Sequence, residues 1–275
     1  MAAAVVTEHR LERGDATLYI TEQGAGSPLL LLHGWSLDGR MFAPQVAAFA
    51  QHFRVLTLDR RGFGRSTGRP DLGREVDDVG AVLAELAGEP AHLLGMSQGG
   101  RVALRFAAGN AAKLRSLVLQ GAAVDGADIP ESPEERIPVE RYANLARQGK
   151  LQALRELWCA HSLMRLADES PATQRLIHAI LADYRGQDLL NAGTGNAAAP
   201  TEVVSRLAGI EVPTLLINGA NETEARKGHA ALLKQRMPNC SEYLVPNSGH
   251  LCNLTAPDIY NEQVISFCAA ADARA

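Results

Sequence analysis

The sequence has little of what marks several specialised classes of protein. Its four cysteines are scattered along 275 residues, with neither a disulfide framework nor metal-ligand spacing. No apolar run reaches the roughly 20 residues of a membrane-spanning helix, and the first residues lack the basic start and apolar length of a signal peptide. A net charge of −4, with both signs mixed, gives no signature of a nucleic-acid partner. We therefore expect a cytoplasmic protein with reduced thiols, no bound metal, and neither a nucleic-acid nor a membrane partner.

Apolar runs and helical periodicities alternate along most of the chain. The run Leu29–Leu32 is uninterrupted, which is typical of a strand buried on both faces of a parallel sheet. A hairpin is predicted within 5–22, and further strands at 53–58, 93–94, 114–119, 212–217 and 241–245. Helical spacing lies between or after several of these strands. This order predicts an α/β fold with a mostly parallel sheet and right-handed crossovers.

The alternation stops in the middle of the chain. There no strand pattern is present, whereas apolar residues recur at helical spacing within 142–158 and 176–184. We interpret residues 125–208 as a helical cap inserted into an α/β core formed by residues 1–124 and 209–275. The charges of this predicted cap are nearly balanced, so the sequence implies neither an acidic nor a basic substrate.

One serine lies at a sharp turn between a predicted strand and a predicted helix. The strand ends at Gly95, Ser97 follows, and Gly99 opens the helical pattern. Glycine at these two positions lets the strand and helix backbones approach closely. Such a turn presents the hydroxyl of Ser97 as a nucleophile and the backbone N–H of Gln98 as a donor to an oxyanion. The alternative is a glycine-rich turn whose serine only caps the helix.

A second loop can face this serine. His33-Gly34-Trp35 follows the buried strand, and its glycine allows a close approach of the backbone. We expect the N–H of Trp35 to be the second oxyanion donor and its ring to wall a pocket. The alternative is an ordinary strand-to-helix loop with a half-buried tryptophan. The Gly- and Arg-rich turn at 59–66 carries no nucleophile and is interpreted as structural.

Two further polar groups follow late strands. Glu222 comes shortly after one predicted strand, and His250 comes after the last. The carboxyl ends of parallel strands share one edge of the sheet, so both groups can meet Ser97. Histidine can take the proton of an attacking serine, and a carboxylate fixes its tautomer. The chain order nucleophile, acid, histidine is a known triad order. Asp125 and Glu224 remain open as alternative acids.

Together these motifs resemble the α/β-hydrolase superfamily over nearly the whole chain. The residues that carry the resemblance are His33-Gly34-Trp35, Asp59 to Ser66, Gly95 to Gly100, Pro213 to Gly219, and Gly249-His250. The resemblance implies the α/β-hydrolase fold, with an eight-stranded sheet flanked by helices, a Ser-acid-His triad, and a cap over the pocket. Glu222 stands where most members of the superfamily carry aspartate.

Within the superfamily, the Trp35 loop and the residues after Gly249 most resemble small-molecule esterases and 3-oxoadipate enol-lactonases. This implies a serine hydrolase that cleaves a small carboxylic ester or lactone through an acyl-enzyme, with a triad of Ser97, Glu222 and His250. The expected partner is a small-molecule substrate, and no cofactor is expected.

The substrate pocket is expected to be shaped by Met96, Trp158 and Cys252 beside the Trp35 ring. Two other functions remain open. The same triad can hydrolyse a carbon–carbon bond in a ring-cleavage product, and a capped pocket can also serve a receptor that binds without turnover. The oligomeric state, a homo-oligomer included, is left open by the sequence.

Overall fold

The computed structural model describes residues 5–88, 90–190 and 203–274. Its strands are β1 (Thr7–Arg13), β2 (Ala16–Gln23), β3 (Pro28–Leu32), β4 (Arg54–Asp59), β5 (Ala91–Met96), β6 (Leu114–Gln120), β7 (Thr214–Gly219) and β8 (Cys240–Val245). They form one eight-stranded sheet in the order β1-β2-β4-β3-β5-β6-β7-β8. The first two strands pair antiparallel with each other, β2 pairs antiparallel with β4, and all other pairs are parallel. The predicted fold class, with a mostly parallel sheet, is confirmed.

Helices lie on both faces of this sheet. They are α1 (Ala43–Phe49), α2 (Leu72–Val82), α3 (Gln98–Asn110), α4 (Val139–Arg147), α5 (Leu151–Cys159), α6 (Pro171–Ala182), α7 (Gln187–Leu190), α8 (Glu224–Arg236), α9 (Cys252–Thr255) and α10 (Pro257–Asp272). Apolar side chains of α2, α3 and α8 join one core cluster, and those of α1 and α10 join the other.

The central strand β3 shows why its sequence is apolar throughout. Leu29 and Leu31 belong to the cluster on one face, whereas Leu30 and Leu32 belong to the cluster on the other. Successive strand residues point to opposite faces, and all four leucines are fully buried. Because helices cover both faces, no position of this strand meets water, and its carboxyl end is held rigidly next to that of β5.

Between β6 and β7 the described part of the chain contains the helices α4 to α7 and no strand. Its aromatic residues Tyr142, Trp158 and Tyr184 surround Trp35, with ring centroids 6.0, 4.8 and 5.9 Å away. These helices therefore pack directly against the loop that follows β3. Residues 191–202 of the predicted cap lie outside the described residues.

Across the described ranges, no helix combines the length and apolar character needed to cross a membrane.

Candidate active site

Ser97 occupies the turn between β5 and α3 in a strained backbone conformation. Its φ of 53° and ψ of −113° lie outside the regions that residues with a side chain normally adopt. The backbone N–H of Ser97 donates to the carbonyl of Gln120 at 2.7 Å, which ties the turn to the end of β6. The turn thus holds the serine at the carboxyl edge of the sheet.

The glycines around Ser97 are required by close backbone contacts. A Cβ at Gly95 would lie 2.6 Å from the carbonyl oxygen of Gly99, and a Cβ at Gly99 would lie 2.3 Å from that of Leu32. Real Cβ atoms do not approach backbone atoms so closely, so neither position accepts a side chain. Strand, turn and helix can pack this tightly only with glycine at both positions.

His250 and Glu222 form a buried hydrogen-bonded pair near this edge. The distance from Nδ1 of His250 to Oε2 of Glu222 is 2.6 Å, and each side chain is 2% exposed. Burial by itself would raise the pKa of Glu222, but the charge and hydrogen bond of His250 hold it below its usual value. The carboxylate is therefore ionised at neutral pH and accepts a hydrogen bond from Nδ1–H. With the proton on Nδ1 held in this way, Nε2 is the ring nitrogen that can accept a proton.

The other two candidate acids lie elsewhere. Asp125 accepts hydrogen bonds from Arg101 at 2.5 Å and from Arg105 at 2.6 Å. Glu224 is exposed and forms an ion pair with Lys227 at 2.8 Å. Of the three carboxylates considered from sequence, Glu222 is the one that the structure places against the histidine.

Two residues at the end of β6 hold His250 in place. Nε2 of Gln120 donates to the carbonyl of His250 at 2.8 Å, so Gln120 contacts the backbone of both His250 and Ser97. Gly121 lies directly under the imidazole, because a Cβ there would be 2.4 Å from Cε1 of His250. The Nε2 atom of His250 is buried and has no hydrogen-bond partner among the described residues.

The loop after β3 lies on the other side of Ser97. A Cβ at Gly34 would be 3.6 Å from the Cβ of Ser97 and 2.6 Å from the sulfur of Met96, so this backbone abuts the serine turn. Trp35 follows in the loop, and Gln98 is the first residue of α3. An N–H in the first turn of a helix has no acceptor within the helix, so the amide of Gln98 is available to a ligand.

Arg60, which sequence reasoning assigned to a structural turn, lies behind this loop. Its buried guanidinium donates to the carbonyl of His33 at 2.9 Å, to Oε1 of Gln98 at 2.5 Å, and to Glu75 at 2.7 Å. It therefore links the loop and the helix start that carry the two predicted oxyanion donors. The sequence feature that could have revealed this role is an arginine directly after a buried strand, since a charged side chain there needs a buried partner.

The preceding residue, Asp59, binds backbone groups through its carboxylate, which accepts the N–H groups of Gly39 and Arg65, both at 2.8 Å. Burial raises the pKa of Asp59 to about 6. Asp59 thus holds the turn together through backbone contacts.

A cavity of about 310 Å³ opens at Ser97. Trp35, whose ring was expected to wall the pocket, and Gln98 line it, and so do Arg101, Asp188 and Arg226. The Nε1–H of Trp35 donates to Asp188 at 2.5 Å, which fixes the ring against α7.

Three residues predicted to shape the pocket, Met96, Trp158 and Cys252, do not line this cavity. Met96 points to the opposite face of β5 from its neighbours and lies under the loop at Gly34. Trp158 packs edge-on against the Trp35 ring, with the ring centroids 4.8 Å apart. Cys252 is fully buried beside β7, with its sulfur 3.9 Å from the carbonyl of Ile217.

A larger cavity, of about 770 Å³, lies between β2, β4 and α1. Its described lining does not include Ser97, which lines the smaller cavity, and its Arg40 is paired with Asp38 at 2.6 Å. Glu222 and His250 are absent from the described lining of both cavities. The smaller cavity is therefore the candidate active site. Among the described residues, no group of three or more His, Cys, Asp or Glu side chains is arranged to hold a metal ion.

Comparison with known proteins places these features in a family. A model of the alpha/beta hydrolase family matches residues 29–263. Pimeloyl-(acyl-carrier protein) methyl ester esterase of Pectobacterium carotovorum is 27% identical, over 93% of this chain and all of the relative. The 2-hydroxy-6-oxononadienedioate/2-hydroxy-6-oxononatrienedioate hydrolase of Cupriavidus pinatubonensis is 28% identical, over 91% of this chain and 90% of the relative.

The structures agree with the sequence matches. The enol-lactonase from Burkholderia xenovorans superposes with a TM-score of 0.80 at 24% identity, covering 95% of this chain and all of that structure. This neighbour supports the fold alone. Because the family model spans most of the sequence, from β3 into α10, the chain belongs to the alpha/beta hydrolase family.

Proposed function

We propose that this hydrolase cleaves a small carboxylic ester or lactone, with Ser97 as nucleophile, His250 as base and Glu222 as the acid that orients it. The observation that carries the proposal is the buried hydrogen bond of 2.6 Å between His250 and Glu222. The Nε2 atom of His250 has no partner among the described residues, and His250 follows a strand at the same sheet edge as the strained Ser97. A serine hydroxyl becomes a strong nucleophile only as a base takes its proton.

In the proposed mechanism, Ser97 attacks the carbonyl carbon while Nε2 of His250 takes its proton. The N–H groups of Gln98 and Trp35 stabilise the oxyanion of the tetrahedral intermediate. His250 then gives the proton to the leaving alkoxide, and an acyl-enzyme remains. A water molecule, deprotonated by His250, releases the acid and restores Ser97. Glu222 stays ionised throughout and stabilises the imidazolium.

Residues 125–208 serve as the cap of this site in our proposal. Ile137, Val139, Asp188 and Leu189 from this segment line the cavity that contains Ser97. A cavity of about 310 Å³ fits a small-molecule substrate, since ligand pockets start near this size. The wall formed by these residues excludes water from one side of the reacting carbonyl.

The ester or lactone bond is favoured by similarity to an esterase that spans nearly the whole chain. The second candidate, hydrolysis of a carbon–carbon bond with the same triad, is favoured by similarity to the Cupriavidus hydrolase. Product analysis separates the two reactions, because carbon–carbon cleavage gives a ketone or its enol and an acid, whereas ester cleavage gives an alcohol and an acid.

The test is labelling with a fluorophosphonate probe, followed by mass-spectrometric mapping of the modified residue. Rapid modification of Ser97 in the wild type, with none in Ser97→Ala and slow modification in Glu222→Gln, is the expected result. A folded wild-type protein that is not labelled would contradict the proposal and favour a ligand receptor. Unchanged labelling in Glu222→Gln would remove Glu222 from the triad.

A further inference from the structure

One guanidinium in the Ser97 cavity has no side-chain partner among the residues that the structure describes. Arg226, in the first turn of α8, lines the cavity together with Ser97 and Gln98. Its backbone N–H donates to Oγ1 of Thr223 at 3.4 Å, whereas its side chain makes neither a hydrogen bond nor an ion pair with any described residue. Arg226 is half-buried, so its positive charge loses contact with water without gaining a hydrogen bond or an ion pair among the described residues.

The acidic groups near Arg226 are engaged elsewhere. Three carboxylates are close enough for their charge to act on it, namely Glu222, Glu131 and Glu135. Glu222 is bonded to the histidine of the proposed triad, Glu131 faces a different arginine at 4.0 Å, and Glu135 accepts two backbone N–H groups. Burial also lowers the pKa of the Arg226 guanidinium from its usual value, so this charge, which has no partner among the described residues, is poorly solvated as well.

The other charged groups around the cavity already have partners. Arg101 pairs with an aspartate at 2.5 Å, and the carboxylates of Glu75, Asp71 and Asp188 each accept hydrogen bonds from neighbouring donors. Within the described part of the chain, Arg226 is therefore the uncompensated charge of this cavity, and that charge is positive.

We infer that Arg226 binds an anionic group of the substrate, so that the ester or lactone cleaved at Ser97 carries a carboxylate. The inference rests on the proposed function, because it places the anion in the cavity that holds the nucleophile. A guanidinium and a carboxylate form a charge-assisted pair that is commonly bidentate. A substrate with an alkyl group at this point would leave the guanidinium buried and unpaired, so the same residue selects against neutral substrates.

The kinetic test compares two esters of similar length. Monomethyl glutarate carries a carboxylate, and methyl hexanoate carries an alkyl end in its place. We expect kcat/KM for monomethyl glutarate to fall about tenfold or more in Arg226→Gln, while that for methyl hexanoate rises, because the penalty of burying an unpaired guanidinium against the alkyl end is removed. Arg236 is exposed on the same helix, so Arg236→Gln is the matched control and should behave as the wild type with both esters.

A binding measurement separates this inference from the proposed chemistry. Calorimetric titration with glutarate needs no turnover. We expect binding to the wild type and to Arg236→Gln, weaker binding to Arg226→Lys, and none to Arg226→Gln. Circular dichroism checks that each variant is folded, and the lysine variant keeps the test open if Arg226→Gln does not fold.

Three results would overturn the inference: no glutarate binding to the wild type, unchanged binding to Arg226→Gln, or equal losses for both esters in that variant. A different result would overturn the proposed function instead. If neither ester is hydrolysed and Ser97 is not labelled, while glutarate binding still depends on Arg226, the hydrolytic mechanism fails and the anion site stands.

Discussion

The two sides of Ser97 are held by different means. We define the base side as His250, Glu222 and Gly121. Here the side chains of His250 and Glu222 share one buried hydrogen bond of 2.6 Å, and the missing side chain of Gly121 provides the space for the imidazole. On the donor side, defined as the loop Gly34-Trp35 and Gln98, backbone N–H groups are held in position by the guanidinium of Arg60 behind them.

This difference sets how much each side tolerates substitution. In the proposed mechanism, the base side depends on one proton-accepting atom, and no neighbouring group among the described residues replaces it. The donor side would depend on geometry, because its two N–H groups would share the stabilisation of one oxyanion. We therefore expect substitutions on the base side to lower the rate far more than substitutions behind the donor side.

The largest effect is expected for His250→Ala. Without Nε2, no group takes the proton of Ser97, so kcat for ester hydrolysis should fall about 10⁴-fold or more. The measurement is steady-state hydrolysis of a methyl ester by pH-stat, with circular dichroism as the check on folding. His52→Ala removes an exposed histidine before β4 and should leave kcat unchanged. Substantial hydrolysis by a folded His250→Ala protein would show that the base is another group.

Glu222→Gln should have the next largest effect. The amide keeps the size of the side chain but carries no charge to stabilise the imidazolium, and it can present an N–H to Nδ1, which favours the wrong tautomer. We expect kcat to fall about 10²- to 10⁴-fold, measured with the same ester. A fall of less than about tenfold would mean that the carboxylate only anchors the loop.

Gly121→Ala tests whether activity depends on the space that Gly121 leaves for the imidazole of His250. The new Cβ would meet Cε1 at 2.4 Å and Nδ1 at 2.6 Å, and the residue has φ of 57°. We expect the displaced ring to lower kcat about tenfold to a hundredfold. The control is Gly149→Ala. Gly149 also has a positive φ, 70°, but no described atom lies within 4 Å of an added Cβ, so this variant introduces the backbone strain without a contact to His250. Equal losses of activity in both variants would attribute the effect to strain rather than to His250.

The base side could be predicted from sequence because it follows from sheet topology. Buried runs such as Leu29–Leu32 predict parallel strands, and the carboxyl ends of parallel strands meet at one edge. Glu222 and His250 each follow such an end, so their contact requires no knowledge of side-chain packing. The side chain of Glu222, one methylene longer than that of aspartate, reaches His250 from a position three residues beyond the end of β7.

The donor-side support and the pocket could not be predicted in the same way. Arg60 acts through contacts with α2 and α3, which depend on how helices pack and not on strand order. Met96 and Cys252 are sequence neighbours of proposed triad residues, but chain proximity does not tell which face a side chain points to. Arg226 combines burial in the Ser97 cavity with a side chain that has no partner among the described residues, and both are properties of the folded molecule.

Removal of Arg60 should displace the donor side, because Arg60 bonds both the loop after β3 and the side chain of Gln98. Arg60→Met alone leaves Glu75 charged and buried, which we expect to cost about 3 kcal/mol of stability or more. The double variant Arg60→Met/Glu75→Gln leaves no unpaired buried charge. Its kcat should fall about tenfold with little change in KM, because the N–H groups of Trp35 and Gln98 are proposed to stabilise the transition state and not the bound substrate.

The same turn offers a matched control for this pair. Arg61 and Asp78 form an ion pair of 2.7 Å, equally buried, and Arg61 makes no described contact with His33 or Gln98. Arg61→Met/Asp78→Asn should therefore lower stability without lowering kcat. A loss of kcat as large as that of the Arg60 double variant would show that the turn acts as a whole.

The smallest effect on activity is expected for Asp125→Asn, because Asp125 belongs to neither side. Burial would raise its pKa, but the hydrogen bonds and charges of Arg105 and Arg101 hold the pKa below its usual value. As the pH falls from about 4, the unfolded chain takes up this proton before the folded protein does, so the stabilisation is complete above that pH and is lost below it. Urea unfolding should show Asp125→Asn less stable at pH 7 by about 1–2 kcal/mol, with the gap narrowing below pH 4.

Its kcat at pH 7 should stay within about twofold of the wild type, since its carboxylate is engaged by two arginines and not by His250. A fall in kcat comparable with that of Glu222→Gln would make Asp125 part of the base side. The structure would then have to rearrange before catalysis, because a carboxylate that orients His250 must first leave Arg101 and Arg105.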